Sequence, residues 1–332
     1  MDPLTHGLVG AAATQSFADK KKIRPAAFTG FVSAMLADLD FFIHNPADPL
    51  LNIELHRQFT HSLIFIPVGG LIAAGLLWWI MRQYISFREL YLYSVVSYAT
   101  AGIMDSFTSY GTMLLWPFLD TRFAWNLISV VDPVFTAGVL ILVGLSFYYR
   151  HRPHAWICWA WIIIYLLFGL VQRERATATA YELANERNHL VERMVVKPTI
   201  GNLLLWRSTY EYDEAFHADG IRLGLFSDTK VYRGESASRV YPEEAYDDYM
   251  ATIMYYDIMR FSRLSEDYLI RHPDKPNVIG DARYSMLPTS MTPLWGIEID
   301  TDKPDDHVSF HYFRDASPEV RQTLLQMLLA RD

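Results

Sequence analysis

The sequence predicts a membrane all-α helical bundle of five or six spans (residues 1–171), followed by a soluble α+β domain (172–332). Three observations carry this. The chain has 332 residues, enough for about two domains. Its charge is uneven: residues 1–171 hold ten Lys/Arg and ten Asp/Glu, whereas 172–332 hold 19 and 27, so the whole net charge of −8 lies in the second part. Several stretches of the first part approach the roughly 20 apolar residues needed to cross a hydrocarbon core. Disorder, a coiled coil and a single water-soluble globule are excluded by the 51% hydrophobic content and its segregation. An acidic balance repels phosphate, which excludes nucleic acid as a partner. The lone cysteine, Cys158, lies in an apolar run and offers neither a disulfide framework nor a thiolate zinc site.

Taken in order, residues 3–18 are rich in small residues and only weakly apolar. No basic region precedes them, so they are a poor signal peptide and read as a full span or a half-inserted helix. Residues 25–37 are apolar and end at Asp38 and Asp40. Residues 62–81 are uncharged. Residues 90–104 are uncharged and continue to Ser109 through one acid, Asp105. Residues 133–149 and 155–171 complete the set. Basic residues at span ends set orientation. The connections 19–24, 82–89 and 150–154 carry eight of them, whereas 44–61 and 110–131 carry only Arg57 and Arg122. The first group is expected in the cytoplasm; the second group, the N-terminus and the domain 172–332 are expected outside.

In the second part, 172–195 reads as a polar helix leaving the membrane. Residues 199–212 and 221–226 read as strands, with a turn near Ala218-Asp219-Gly220. Residues 242–271 have helical periodicity, 281–287, 294–300 and 307–313 read as strands, and 318–330 as a closing amphipathic helix. Glu182, Glu186 and His189 share a helical spacing, which a solvated helix face explains.

An ionisable residue inside a span is costly, and so marks function. On this topology His6, Asp38, Asp40, His56, His61, Asp105 and Asp132 all fall toward the outer side. Each alone fits an interfacial or solvated role; together they suit a divalent cation. Imidazole with carboxylate and no thiolate fits zinc first, then manganese or iron, rather than copper(I). Asp132-Pro133 also reads as a helix cap with proline at the first helical position. Asp38 and Asp40 on a straight helix would point about 200° apart, so at least one belongs on an unwound end. His56 and His61 are five apart and share no helical face. That assigns His56 to the loop and His61 to the first turn of the span.

A cation so held activates water for attack on an ester. Asp38 or Asp40 is the expected general base, and Arg57 and Arg122 can clamp a phosphate oxygen. A site at the bilayer surface favours a lipid-derived phosphoester or another small or lipid-like ester. The rival is a non-enzymatic protein: a transporter, or a scaffold with an outer partner-binding domain. Transport predicts charges spread through the membrane depth and an inverted repeat. The charges gather on one side and no repeat is visible, which favours hydrolysis.

These residues also carry a resemblance. Met1-Asp2-Pro3-Leu4-Thr5-His6-Gly7, Ala37-Asp38-Leu39-Asp40, His56-Arg57-Gln58-Phe59-Thr60-His61-Ser62, Asp105-Ser106-Phe107-Thr108-Ser109-Tyr110-Gly111-Thr112, Trp116-Pro117-Phe118 and Asp132-Pro133 occur in the order of the YdjM-type membrane-bound metal-dependent hydrolases. The resemblance is dense over 1–149. It is looser at Lys197-Pro198 to Asn202 and at Trp206-Arg207, which are similar to the longer members' soluble domain. It implies a bacterial-type inner-membrane location and hydrolase activity. It also implies that His6, Asp38, Asp40, His56, His61 and Asp105 are metal ligands or their close neighbours. One departure is Ala101, four residues before Asp105, where members of the family often carry histidine.

Overall fold

The computed structural model describes residues 1–224 and 229–331. Internal contacts divide the chain into two units. The first holds Met1–Ile43, Leu55–Val171 and Ile200–Asn202; the second holds His44–Glu54, Gln172–Thr199 and Leu203–Asp332.

The first unit is helical. Helix α1 (Pro3–Gln15) starts where Asp2 caps it, accepting from the Thr5 amide at 3.0 Å, with Pro3 inside the first turn. Its 13 residues extend about 20 Å at roughly 1.5 Å each, short of the roughly 30 Å hydrocarbon core. So α1 reaches about two thirds of the way across, and it is almost wholly buried. Its neighbour α2 (Ile23–Met35) approaches backbone to backbone: a Cβ built on Gly30 would lie 2.4 Å from the Gly10 carbonyl oxygen. Small residues permit such packing where lipid supplies no hydrophobic drive.

After the short helix α3 (Leu51–Leu55) come α4 (Ile66–Met81) and α5 (Phe87–Ser106), the latter opened by a Ser86/Glu89 capping box. Helix α6 (Pro133–Tyr149) begins at Asp132, whose side chain accepts from the Val134 and Phe135 amides. Helix α7 (Arg152–Glu186) runs 35 residues. Among the described residues, Ile23–Phe42, Leu63–Met81 and Arg152–Glu186 are long and apolar enough to cross a membrane. The expected five or six are not reached by these alone: α5 carries Arg88, Glu89 and Asp105, α6 has 17 residues and α1 has 13.

The second unit is a soluble domain with two four-stranded antiparallel sheets. Strands β1 (Arg193–Pro198), β2 (Leu205–Tyr212), β3 (Ala215–Leu223) and β4 (Thr229–Ser238) form one sheet in that order. Helices α8 (Pro242–Ala245) and α9 (Ile253–Leu264) follow. The second sheet is β5 (Leu269–His272), β6 (Lys275–Asp281), β7 (Trp295–Glu298) and β8 (Ser309–Tyr312), closed by α10 (Pro318–Leu328). One core joins α9 to this sheet through Met254, Ile258, Phe261, Leu269, Ile279 and Ile297, and Leu50 completes it.

Several expectations for this part are corrected. The helix expected to reach 195 stops at Glu186, and 193–195 are strand, because Asn188 turns the chain with a left-handed φ of 59°. The turn between β2 and β3 is Asp213-Glu214, with φ of 50° and 57°, the geometry that matches a two-residue hairpin to strand twist. Asp219, expected in that turn, lies inside β3 as a buried partner of Arg187 at 2.7 Å. The strand expected from 199 starts at Leu205. Of the strand expected over 221–226, residues 221–223 belong to β3 and 225–226 lie outside the described residues. The long helix expected over 242–271 is broken into α8, α9 and β5. Asp281 ends a strand instead of starting one.

Candidate metal centre

Four chain segments deliver the acids and imidazoles. Helix α1 carries His6 on its second turn. Asp38 and Asp40 lie in a 3₁₀ turn, Leu36–Phe42, that continues α2. The expected unwound end is corrected: both acids sit in helical backbone, wound tighter at about 120° per residue, which sets them about 120° apart rather than the roughly 160° of an α-helix. His61 closes a second 3₁₀ turn, Phe59–His61, ahead of α4, while His56 lies in the preceding turn. Asp105 sits in the last turn of α5. Gly102 lets α5 reach that turn: a Cβ there would meet the His61 carbonyl oxygen at 2.3 Å.

His6, Asp38, His61 and Asp105 converge, each offering a ligand atom within 4.8 Å of the others. His6 Nε2 lies 3.1 Å from Asp105 Oδ1 and 3.9 Å from Asp38 Oδ2. His61 Nε2 lies 3.3 Å from Asp38 Oδ1 and 3.2 Å from Asp105 Oδ2. His6 and Asp105 are wholly shielded from solvent; the Asp38 side chain retains 14% exposure. Asp38 Oδ2, His61 Nε2 and Asp105 Oδ2 are buried without a hydrogen-bond partner. Buried polar atoms ordinarily find partners; Asp105 Oδ2 has the Arg57 guanidinium at 3.0 Å, and a cation would satisfy the other two. Two imidazoles and two carboxylates without thiolate make a donor set that could hold a metal ion.

Asp40 and His56 stand one layer out. Asp40 Oδ1 lies 2.8 Å from His56 Nδ1, and Oδ2 lies 3.3 Å from His61 Nδ1 and accepts from the Arg57 amide at 2.9 Å and the Thr60 hydroxyl. A carboxylate on the far nitrogen of a ligand histidine orients the ring and raises its basicity. Arg57 is buried, with Nε 3.0 Å from Asp105 Oδ2 and Nη1 donating to the Thr108 hydroxyl at 3.1 Å. The Met1 α-amino group donates to Asp105 Oδ1. Arg122 turns to backbone instead, donating to the His56 carbonyl at 3.0 Å. Both guanidiniums lie over the Tyr110 ring, at 5.2 Å and 5.7 Å.

Asp132 is outside the cluster; besides capping α6 it accepts from the Tyr165 hydroxyl at 2.9 Å. Ala101 packs with Ala37 and Tyr98 in an apolar cluster one turn before Asp105. His189 lies beyond the end of α7, stacked on Tyr212 at 4.2 Å, and so shares no helix face with Glu182 and Glu186. Sequence reasoning passed over Thr60, Thr108 and Tyr110. Their one signal was adjacency to His61 and Asp105. A second acid–imidazole group, Asp48, Asp257 and His307, lies in the second unit with Arg260 bonded to both its carboxylates.

Apolar helices long enough to cross a membrane, with a buried His/Asp cluster at their ends, define an integral membrane protein with a metal-type donor set. The chain belongs to the YdjM inner membrane protein family, whose sequence signature matches residues 1–176. It is similar to the inner membrane protein YbcI of Escherichia coli (strain K12), 31% identical over 156 residues, covering 43% of this chain and 81% of that protein. No solved structure matches the chain.

Proposed function

We propose that the protein is a membrane-embedded, metal-dependent hydrolase acting on an ester or phosphoester, lipid-derived or lipid-like, at the extracytoplasmic face of the inner membrane. The observation that carries this is the convergence of His6, Asp38, His61 and Asp105, in which Asp38 Oδ2 and His61 Nε2 are buried without a hydrogen-bond partner. When bound, a divalent cation supplies Lewis acidity: it acidifies water toward neutral pH and polarises an ester oxygen. His6, His61 and Asp105, fully buried, hold it. Asp38, the cluster carboxylate with solvent access, accepts the proton of the attacking water. Asp40 is engaged by four donors and orients His61 and His56 rather than serving as base. Arg57, already inside the cluster, is better placed than Arg122 to meet an anionic oxygen. The basic-residue bias of the connections supports the extracytoplasmic assignment.

The test is the metal content of protein purified in detergent. The wild type is expected to carry a divalent ion, zinc first. His61→Ala and Asp105→Ala are expected to lose it, together with any chelator-sensitive hydrolysis of ester or phosphoester lipids. A wild type that binds no divalent ion under zinc, manganese or iron titration overturns the proposal.

A further inference from the structure

The segment between Asp40 and His56 leaves the first unit and returns to it. Its middle, His44–Glu54, belongs by contacts to the second unit. Its ends are pinned together, since Asp40 Oδ1 lies 2.8 Å from His56 Nδ1 and Oδ2 accepts the Arg57 amide. A closed excursion of this kind is an Ω-loop. Its middle is anchored as firmly as its ends. Leu50 is wholly buried in the core of Met254, Ile258 and Phe261. Arg260, itself 7% exposed, sends two donors to Glu54 at 2.9 Å and 2.7 Å and two to Asp48 at 2.9 Å and 3.0 Å. A fifth bond goes to the buried Asp257, which also accepts from His307 at 2.7 Å. These carboxylates are thus already engaged by a guanidinium, which argues against a cation there. Burial raises the Asp48 carboxyl, but the hydrogen bond and charge of Arg260, the Leu50 amide and the nearby His307 together outweigh it and leave it below its ordinary value.

The strap therefore joins residues that touch the metal-type cluster to the core of the soluble domain. We propose that Arg260 is a positioning residue for the metal centre: by gripping Asp48 and Glu54 it fixes the strap whose two ends are Asp40 and His56. This rests on the metal reading above. Freed strands of loop between fixed ends would restore conformational entropy that the grip removes, and Asp40 would hold His61 less well. Coupling is reciprocal, so metal affinity and the anchoring of the strap rise and fall together.

The test uses the full-length protein in detergent, with zinc titrated against a competing chelator. Asp48→Asn/Glu54→Gln removes both strap carboxylates and leaves the Arg260–Asp257 pair in place. Zinc binding is expected to weaken about 10- to 100-fold, the range for changes just outside a ligand shell, while the proteolytic pattern of residues 172–331 stays as in the wild type. Arg260→Lys keeps the charge but loses the fork, and is expected to fall between the two; it decides alone if the double variant does not fold. Unchanged affinity in the folded variants overturns this inference and leaves the metal reading standing. A wild type that binds no zinc overturns the metal reading, and this inference with it.

Discussion

Asp40 governs the cluster from outside it. Its two oxygens engage His56, the Arg57 amide, Thr60 and His61, so its negative charge is spent on fixing rings and backbone. Asp40→Asn keeps the shape but loses the charge and one acceptor. Zinc affinity measured by chelator competition is expected to fall about 10- to 100-fold, with the protein still folded; an unchanged value would remove Asp40 from the site. The converging residues were legible in the sequence because a charge inside an apolar run stands out against its neighbours. Asp105 is the plainest case, a lone acid near the end of α5. Thr60 and Thr108 were not legible, since hydroxyls are common in helices and turns and only their partners give them meaning. The division between ligand and orienting residue was also invisible. Asp38 and Asp40 look alike in sequence, and the 3₁₀ turn separates their roles.

At the level of elements, the contact of α1 with α2 is set by Gly10 and Gly30, where each backbone occupies the space a side chain would need. Gly30→Leu is expected to cost at least about 1–3 kcal/mol through overpacking, seen as a lower melting temperature in detergent; an unchanged melt would mean the helices do not meet there. Helix α1 is too short to cross alone, so its burial depends on this contact. The three helices long and apolar enough to cross a membrane were easy to find, because apolar length is a strong signal. The soluble domain was harder. The closing helix α10 and the strands β7 and β8 match the periodicity closely, whereas β1 was hidden in an expected helix tail and the Asp213-Glu214 hairpin lacked the glycine that usually marks such a turn. The spacing of Pro242 to Arg271 reads as one helix only if the breaks at Tyr246 and Ser265 go unseen.

Across the whole molecule, the outward faces of the first unit are apolar. Trp79 is 74% exposed, Leu76 61% and Ile164 63%, a pattern suited to lipid rather than water. Orientation is a separate question, and the native thiol helps answer it, because Cys158 is wholly buried and should stay unreactive. In spheroplasts, a membrane-impermeant maleimide is expected to label Lys303→Cys in the soluble domain and to spare His151→Cys in the connection before α7. Labelling of the second position alone would reverse the assigned sides. The four converging residues also come from four stretches that no short piece of chain contains together: α1, the 3₁₀ end of α2, the turn before α4 and the last turn of α5. A nascent polypeptide therefore cannot chelate an ion until about its first hundred residues have been inserted and packed, and on the metal reading loading would be a late step of biogenesis.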